Sequence, residues 1–217
     1  MIKRELYMNR IRPFIGGELI KVMTGIRRSG KSVMLELIKE ELAEAGVAPS
    51  QMISINFEDM RYSHLQTATA LHDEIIKRAE GIEGKAYLFF DEIQEVEGWE
   101  KCVNSLRVAL DCDIYITGSN AKLLSGELAT YIGGRYVEFV IYPFSFAEFL
   151  ELYHTIAPSD SIQQCFQKYL LAGGMPYLAN LRYEEEPSRQ YLTDLFNSVQ
   201  LKDIVKRNKI RDIDLLE

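Results

Sequence analysis

The chain has 217 residues, 47% hydrophobic and 26% charged, with a formal net charge of -7, proportions that suit one buried core with a small annex. The acidic balance excludes a surface built throughout to neutralise phosphates. No run approaches the ~18 apolar residues that cross a bilayer, so no membrane partner is expected. The N-terminal MIKRELYMNRIRPF breaks its apolar positions with charge, unlike a secretory signal, and a cytoplasmic address is expected. Cys102, Cys112 and Cys165 are an odd set without metal-ligand spacing, as reduced thiols would be.

In chain order, LIKVMTG (residues 19–25) is a short apolar run ending at a glycine. After Lys31, Val33, Leu35, Leu37, Ile38 and Leu42 recur at helical spacing until Gly46 ends the helix. QMISINF reads as a second strand, ATALHDEIIKRAEG as a helix, and AYLFFDE as a third strand. A helix from Trp99 to Leu110 precedes a fourth strand, DIYITGS. NAKLLSGELATYIGG, a short helix and loop, leads into a fifth, RYVEFVIYPF. Strands alternating with helices predict an α/β fold, a five-stranded parallel sheet with helices on both faces, because parallel neighbours need crossovers. From about Ser145 only helical patterns remain, in FAEFLELYH, SIQQCFQKYLLAGG and EEEPSRQYLTDLFNSVQLKDIVKRNK. The expected division is a core at 1–150 and a small helical annex at 151–217. The last residues carry no helix stop, as in a piece of a longer protein.

Gly25-Ile26-Arg27-Arg28-Ser29-Gly30-Lys31-Ser32 is a Gly-x-x-x-x-Gly-Lys-Ser loop set between a strand and a helix. Its glycines let successive N–H groups face phosphate oxygens, and the helix start adds its positive dipole end. Lys31 is placed to reach the β- and γ-phosphates, and the Ser32 hydroxyl to ligate Mg²⁺. Ser29 and Val33 belong to the same nucleotide-binding stretch. Arg27 and Arg28 either line the loop mouth or are solvated. Asp91 emerges at the carboxyl end of a buried strand, where it can orient Mg²⁺ through water, and Glu92 beside it can act as general base on an attacking water. These residues point to ATP and Mg²⁺.

Other candidates stay open. Ser119 or Asn120 meets the γ-phosphate or its water if the fourth strand lies between those of the loop and of Asp91; otherwise they cap a helix. Arg135, after a Gly-Gly turn, either stabilises transition-state charge in its own or a neighbour's site or pairs with a surface carboxylate. Glu58 and Asp59 fit a capping or surface role better than a catalytic one. Lys202, Lys206, Arg207, Lys209 and Arg211 form either a solvated helix face or a nucleic-acid contact.

The segments GIRRSGKS, LFFDEIQEVEGWE, ITGSNAKLLSGE, GGRYVEFVIYPFSFAEFL and LLAGGMPYL together resemble the prokaryotic AAA+-type P-loop ATPases related to STAND NTPases and archaeal ATPases. The resemblance covers nearly the whole chain. It implies an ASCE-type sheet with the sensor strand between those before Lys31 and Asp91, followed by a helical lid. It also implies adenine contact by Pro176 in Gly173-Gly174-Met175-Pro176, with Arg4 and Tyr7 completing the base pocket. Relatives commonly continue into a winged-helix region and a further C-terminal domain. The expected function is slow, Mg²⁺-dependent ATP hydrolysis that changes the core–lid angle and acts on an attached domain or protein partner, with oligomers compatible. Two alternatives stand beside it: a nucleotide-dependent regulatory switch with negligible turnover, and a nucleic-acid-stimulated motor or loader.

Overall fold

β1 (Ile20–Thr24), β2 (Met52–Asn56), β3 (Ala86–Asp91), β4 (Cys112–Thr117) and β5 (Tyr136–Val140) form one parallel sheet in the computed structural model, which describes residues 2–118 and 132–199. The strand order is β2-β3-β4-β1-β5. β4 thus lies between the strand that precedes the glycine loop and the strand that ends in Asp91. The registers Asn56↔Asp91, Met23↔Thr117 and Thr24↔Val140 bring the carboxyl ends of all five strands to one edge.

Both faces are covered, because successive strand residues point to opposite sides. On one face Val22, Leu88, Phe90, Ile114 and Ile116 pack with Leu71 and Ile75 of α3 (Ala68–Ala79) and with Trp99, Val103 and Leu106 of α4 (Trp99–Ala109). On the other, Met23, Phe89 and Tyr115 meet Met34, Leu35 and Ile38 of α2 (Lys31–Glu44) and Tyr7, Met8 and Ile11 of α1 (Glu5–Ile11). Helix α1 was not expected from the sequence. Its three buried side chains are spaced as one helical face, and Arg12 fixes it to α2 through Glu5 at 2.8 Å and Glu41 at 2.9 Å. β5 stops short of the apolar run RYVEFVIYPF: Ile141 still donates to the Thr24 carbonyl at 2.7 Å, but Pro143 has no N–H to continue a ladder.

The chain divides into two units, one of Lys3–Ile26 with Gly30–Ile141, the other of Ile2, Arg27–Ser29 and the chain from Tyr142 onward. The second is helical: α5 (Phe146–Tyr153), α6 (Ile162–Ala172) and α7 (Glu185–Val199). Capping boxes Ser145/Glu148 and Ser161/Gln164 start α5 and α6. Its core gathers Phe149, Tyr153, Cys165, Leu178 and Tyr183. Gly174 donates no side chain to it for a steric reason: a Cβ there would stand 2.0 Å from the Phe144 carbonyl oxygen, in a contact where Phe144 N–H also bonds the Gly174 carbonyl at 2.7 Å. Gly174→Ala is therefore expected to destabilise the helical unit by about 1–3 kcal/mol, the usual cost of overpacking. Faster hydrogen exchange confined to α5 and α6 would show it; unchanged exchange would refute it.

No described helix is long and apolar enough to cross a membrane.

Candidate functional site at the carboxyl edge of the sheet

The glycine loop leaves the sheet at Thr24 and bends through three positive φ angles, Gly25 (142°), Arg28 (67°) and Gly30 (100°). Gly30 is the N-cap of the 14-residue α2. Its positive φ strains any L side chain, and a Cβ there would lie 3.5 Å from the Arg4 guanidinium. Arg4 is itself buried, 4.6 Å over the Tyr7 ring. The Lys31 ammonium turns back into the loop, donating to the carbonyls of Gly25 at 3.2 Å and Ile26 at 3.3 Å. Ser32 and Val33 are exposed on the first turn of α2. Arg27 is half-buried, Arg28 exposed and Ser29 buried.

The acidic pair sits two strands away on the same edge, about 10 Å laterally at ordinary strand spacing. Thr117, the last residue of β4, binds the two together: its hydroxyl donates to the Asp91 carboxylate and accepts the Glu92 N–H at 3.0 Å. Asn56, last on β2, donates to the other Asp91 oxygen at 3.0 Å. Glu92 turns sharply out of the strand with φ 56° and ψ 46°, a left-handed conformation that costs a non-glycine residue about 1 kcal/mol. Its carboxylate accepts from the Gln94 amide at 2.5 Å.

Asn56, Thr117 and Gln94 were missed by sequence reasoning. Asn56 and Thr117 carried one usable signal, a polar residue ending an apolar strand. Their significance rests on the lateral order of strands, which the local sequence does not hold.

Arg135 is not brought to this cluster. It precedes β5 at the amino edge, where its backbone carbonyl accepts from Ile20 and its guanidinium donates to Asn104 at 2.8 Å. Its own loop begins past the other end of β1, about 17 Å along the strand direction. Of the alternatives open for Arg135, the described side-chain contact is a surface pairing, made with the Asn104 amide oxygen and not with a carboxylate. Pro176 opens a 3₁₀ turn, Pro176–Ala179, in the helical unit. Ser119, Asn120 and the basic cluster Lys202 to Arg211 lie outside the described residues. Asp59 caps a 3₁₀ turn through Arg61 N–H at 2.9 Å. Burial pushes the Cys102 thiol up to about 12 and that of Cys112 up to about 11, which keeps both protonated and unreactive.

A family model described as an AAA domain matches residues 18–150. The chain belongs to the AAA domain family. An uncharacterized protein of Haemophilus influenzae is 40% identical over 218 residues, covering 100% of this chain and 54% of its own length. The uncharacterized protein MJ1544 of Methanocaldococcus jannaschii is 34% identical over 203 residues, 89% of this chain and 44% of its own length. The AAA chain thus spans about half the length of these curated relatives. AMPPCP-bound DnaA from Aquifex aeolicus superposes with a TM-score of 0.50 at 14% identity, over 91% of this chain and 69% of that one. The fold is that of the AAA+ P-loop ATPases.

The AAA site fits a magnesium-bound triphosphate in its chemistry. Gly30 has the left-handed conformation that opens the loop onto the N-terminus of α2, and the Ser32 hydroxyl and Asp91 carboxylate are hard oxygen donors suited to Mg²⁺.

Proposed function

We propose that this domain binds ATP with Mg²⁺ and hydrolyses it. The observation that carries the reading is the position of Lys31, in a positive-φ loop opening onto α2, on the same sheet edge as Asp91 and Glu92. Backbone N–H groups of Gly25 to Ser32 and the helix dipole receive the phosphates. Lys31 then exchanges its loop carbonyls for β- and γ-phosphate oxygens, a stronger charge-assisted pairing. Ser32 and, through water, Asp91 hold Mg²⁺, which when bound draws charge off the phosphate oxygens. Thr117 and Asn56 keep the Asp91 carboxylate aimed at that place. Glu92 accepts a proton from the attacking water, whose oxygen displaces ADP from the γ-phosphorus.

Arg27, Arg28, Ser29 and Val33 are assigned to the mouth of this site and Pro176 to adenine contact. Ser119 or Asn120 serves as sensor. Arg135 is assigned no role in its own site; a role in a neighbour's requires an oligomer. Hydrolysis moves the helical unit, and the remaining length found in the relatives, or a separate protein, receives the movement.

Calorimetric titration tests the reading. The unaltered protein should release heat with ATP and Mg²⁺, and Lys31→Ala should weaken binding about a hundredfold or more, since a buried cation paired with phosphate is lost. No heat of binding with well-folded, unaltered protein would overturn it. Binding without multiple-turnover phosphate release would replace hydrolysis with the switch reading.

A further inference from the structure

We propose that Gln94 is a positioning residue for hydrolysis, whose side-chain amide fixes the direction in which the Glu92 carboxylate meets the attacking water. The inference rests on Glu92 acting as the base.

The amide nitrogen of Gln94 lies 2.5 Å from Glu92 Oε2. The opposite amide orientation would set two acceptor oxygens against each other, so the nitrogen faces the carboxylate. Among the described residues this is the one hydrogen bond the Glu92 side chain makes. The backbone on either side is already held: Glu92 N–H is bonded to Thr117, Glu95 N–H to the Glu92 carbonyl at 3.2 Å, and Val96 N–H to the Ile93 carbonyl at 3.0 Å. Ile93, in the 3₁₀ turn Ile93–Glu95, and Val96 and Trp99 just after it anchor the segment in the core beneath the sheet. Gln94 is thus presented by a fixed turn and not by a wandering loop.

The other half of the amide is unspent. Gln94 Oε1 is buried and has no hydrogen-bond partner among the described residues. Buried carbonyl oxygens are almost always paired, with protein or with ordered water. An amide that donates to the carboxylate on one side and keeps an acceptor on the other can hold a water hydrogen while the base takes the second. Glutamate has three side-chain torsions, and a general base works only when its oxygen lies within hydrogen-bond reach of the proton it removes. Fixing those torsions from a rigid turn is the service Gln94 performs.

The test uses steady-state hydrolysis, ATP calorimetry and thermal unfolding of the 217-residue chain. Gln94→Met, close in shape but without a donor, should lower kcat about tenfold, the loss of one hydrogen bond to a charged group. ATP affinity and the thermal midpoint should not change. Gln94→Glu, which also repels Glu92, should lower kcat further. With Glu92→Gln already present, Gln94→Met should change the residual single-turnover rate no further, because there is no base left to aim. Wild-type kcat in Gln94→Met, while Glu92→Gln abolishes hydrolysis, would overturn the inference and leave the base intact. Full hydrolysis in Glu92→Gln would overturn the base reading itself. A fall in affinity or thermal midpoint alongside kcat, or an undiminished Gln94 effect in the double variant, would make the role structural and also overturn the inference.

Discussion

Glu92→Gln is expected to yield a protein that binds ATP as the unaltered chain does and cleaves it about a hundredfold more slowly or worse, the usual contribution of a general base. The substitution keeps the side chain's shape and leaves the Glu92 N–H bond to Thr117 untouched. Asp91 also keeps both partners, Thr117 and Asn56, so the carboxylate proposed to serve Mg²⁺ is undisturbed. The negative charge is removed, and with it proton acceptance from water, while the Gln94 amide loses its charged acceptor. Calorimetry and single-turnover hydrolysis, run on the same preparation, separate the two properties. Hydrolysis at the unaltered rate would remove Glu92 from the mechanism; loss of binding together with loss of rate would assign it to holding the nucleotide.

The second large effect lies at the far edge of the sheet. Asp113 near the start of β4 and Lys21 near the start of β1 form an ion pair with no exposure of either side chain. Asp113 also accepts from Gly16 N–H at 2.6 Å and from the Tyr115 hydroxyl at 2.7 Å, while the Lys21 ammonium donates to the Gly17 carbonyl at 3.1 Å. Burial pulls the Lys21 ammonium below the ordinary lysine value, against the attraction of Asp113 that raises it. Burial and the adjacent Asp113 charge raise the Tyr115 phenol, which keeps it a donor. Asp113→Ala leaves a buried ammonium and two orphaned donors, so it should cost about 3–5 kcal/mol, as broken buried pairs do. Lys21→Met should cost less, because the carboxylate retains the Gly16 and Tyr115 donors. Urea unfolding monitored by the lone Trp99 would rank the two. Equal or inverted costs would mean that the lysine, not the carboxylate, organises this network.

Local sequence was enough to identify the glycine loop, the lysine behind it and the acids closing an apolar strand. Each is a short contiguous segment whose backbone conformation follows from its own residues: glycines that accept positive φ, a helix that starts at Lys31, and a run too apolar to be anything but a buried strand. The strand AYLFFD and the helix after Lys31 were legible for that reason. The N-terminal helix was not, because its Tyr7, Met8 and Ile11 gain their apolar face only when α2 and the sheet supply a surface to bury it against.

Lateral relationships were decided by the tertiary structure. Asn56, Asp91 and Thr117 are far apart in the chain, and their hydrogen bonds exist because β2, β3 and β4 lie side by side in one register. Strand direction, not lateral order, sets Arg135 on the edge opposite its own loop, because it precedes β5 in a parallel sheet. Lys21 and Asp113, unremarkable charges in two apolar runs, become a sealed pair because β1 and β4 lie side by side. Residue type and spacing along the chain fix which backbone and chemical groups are available; hydrogen bonding between strands distant in sequence fixes which of them meet.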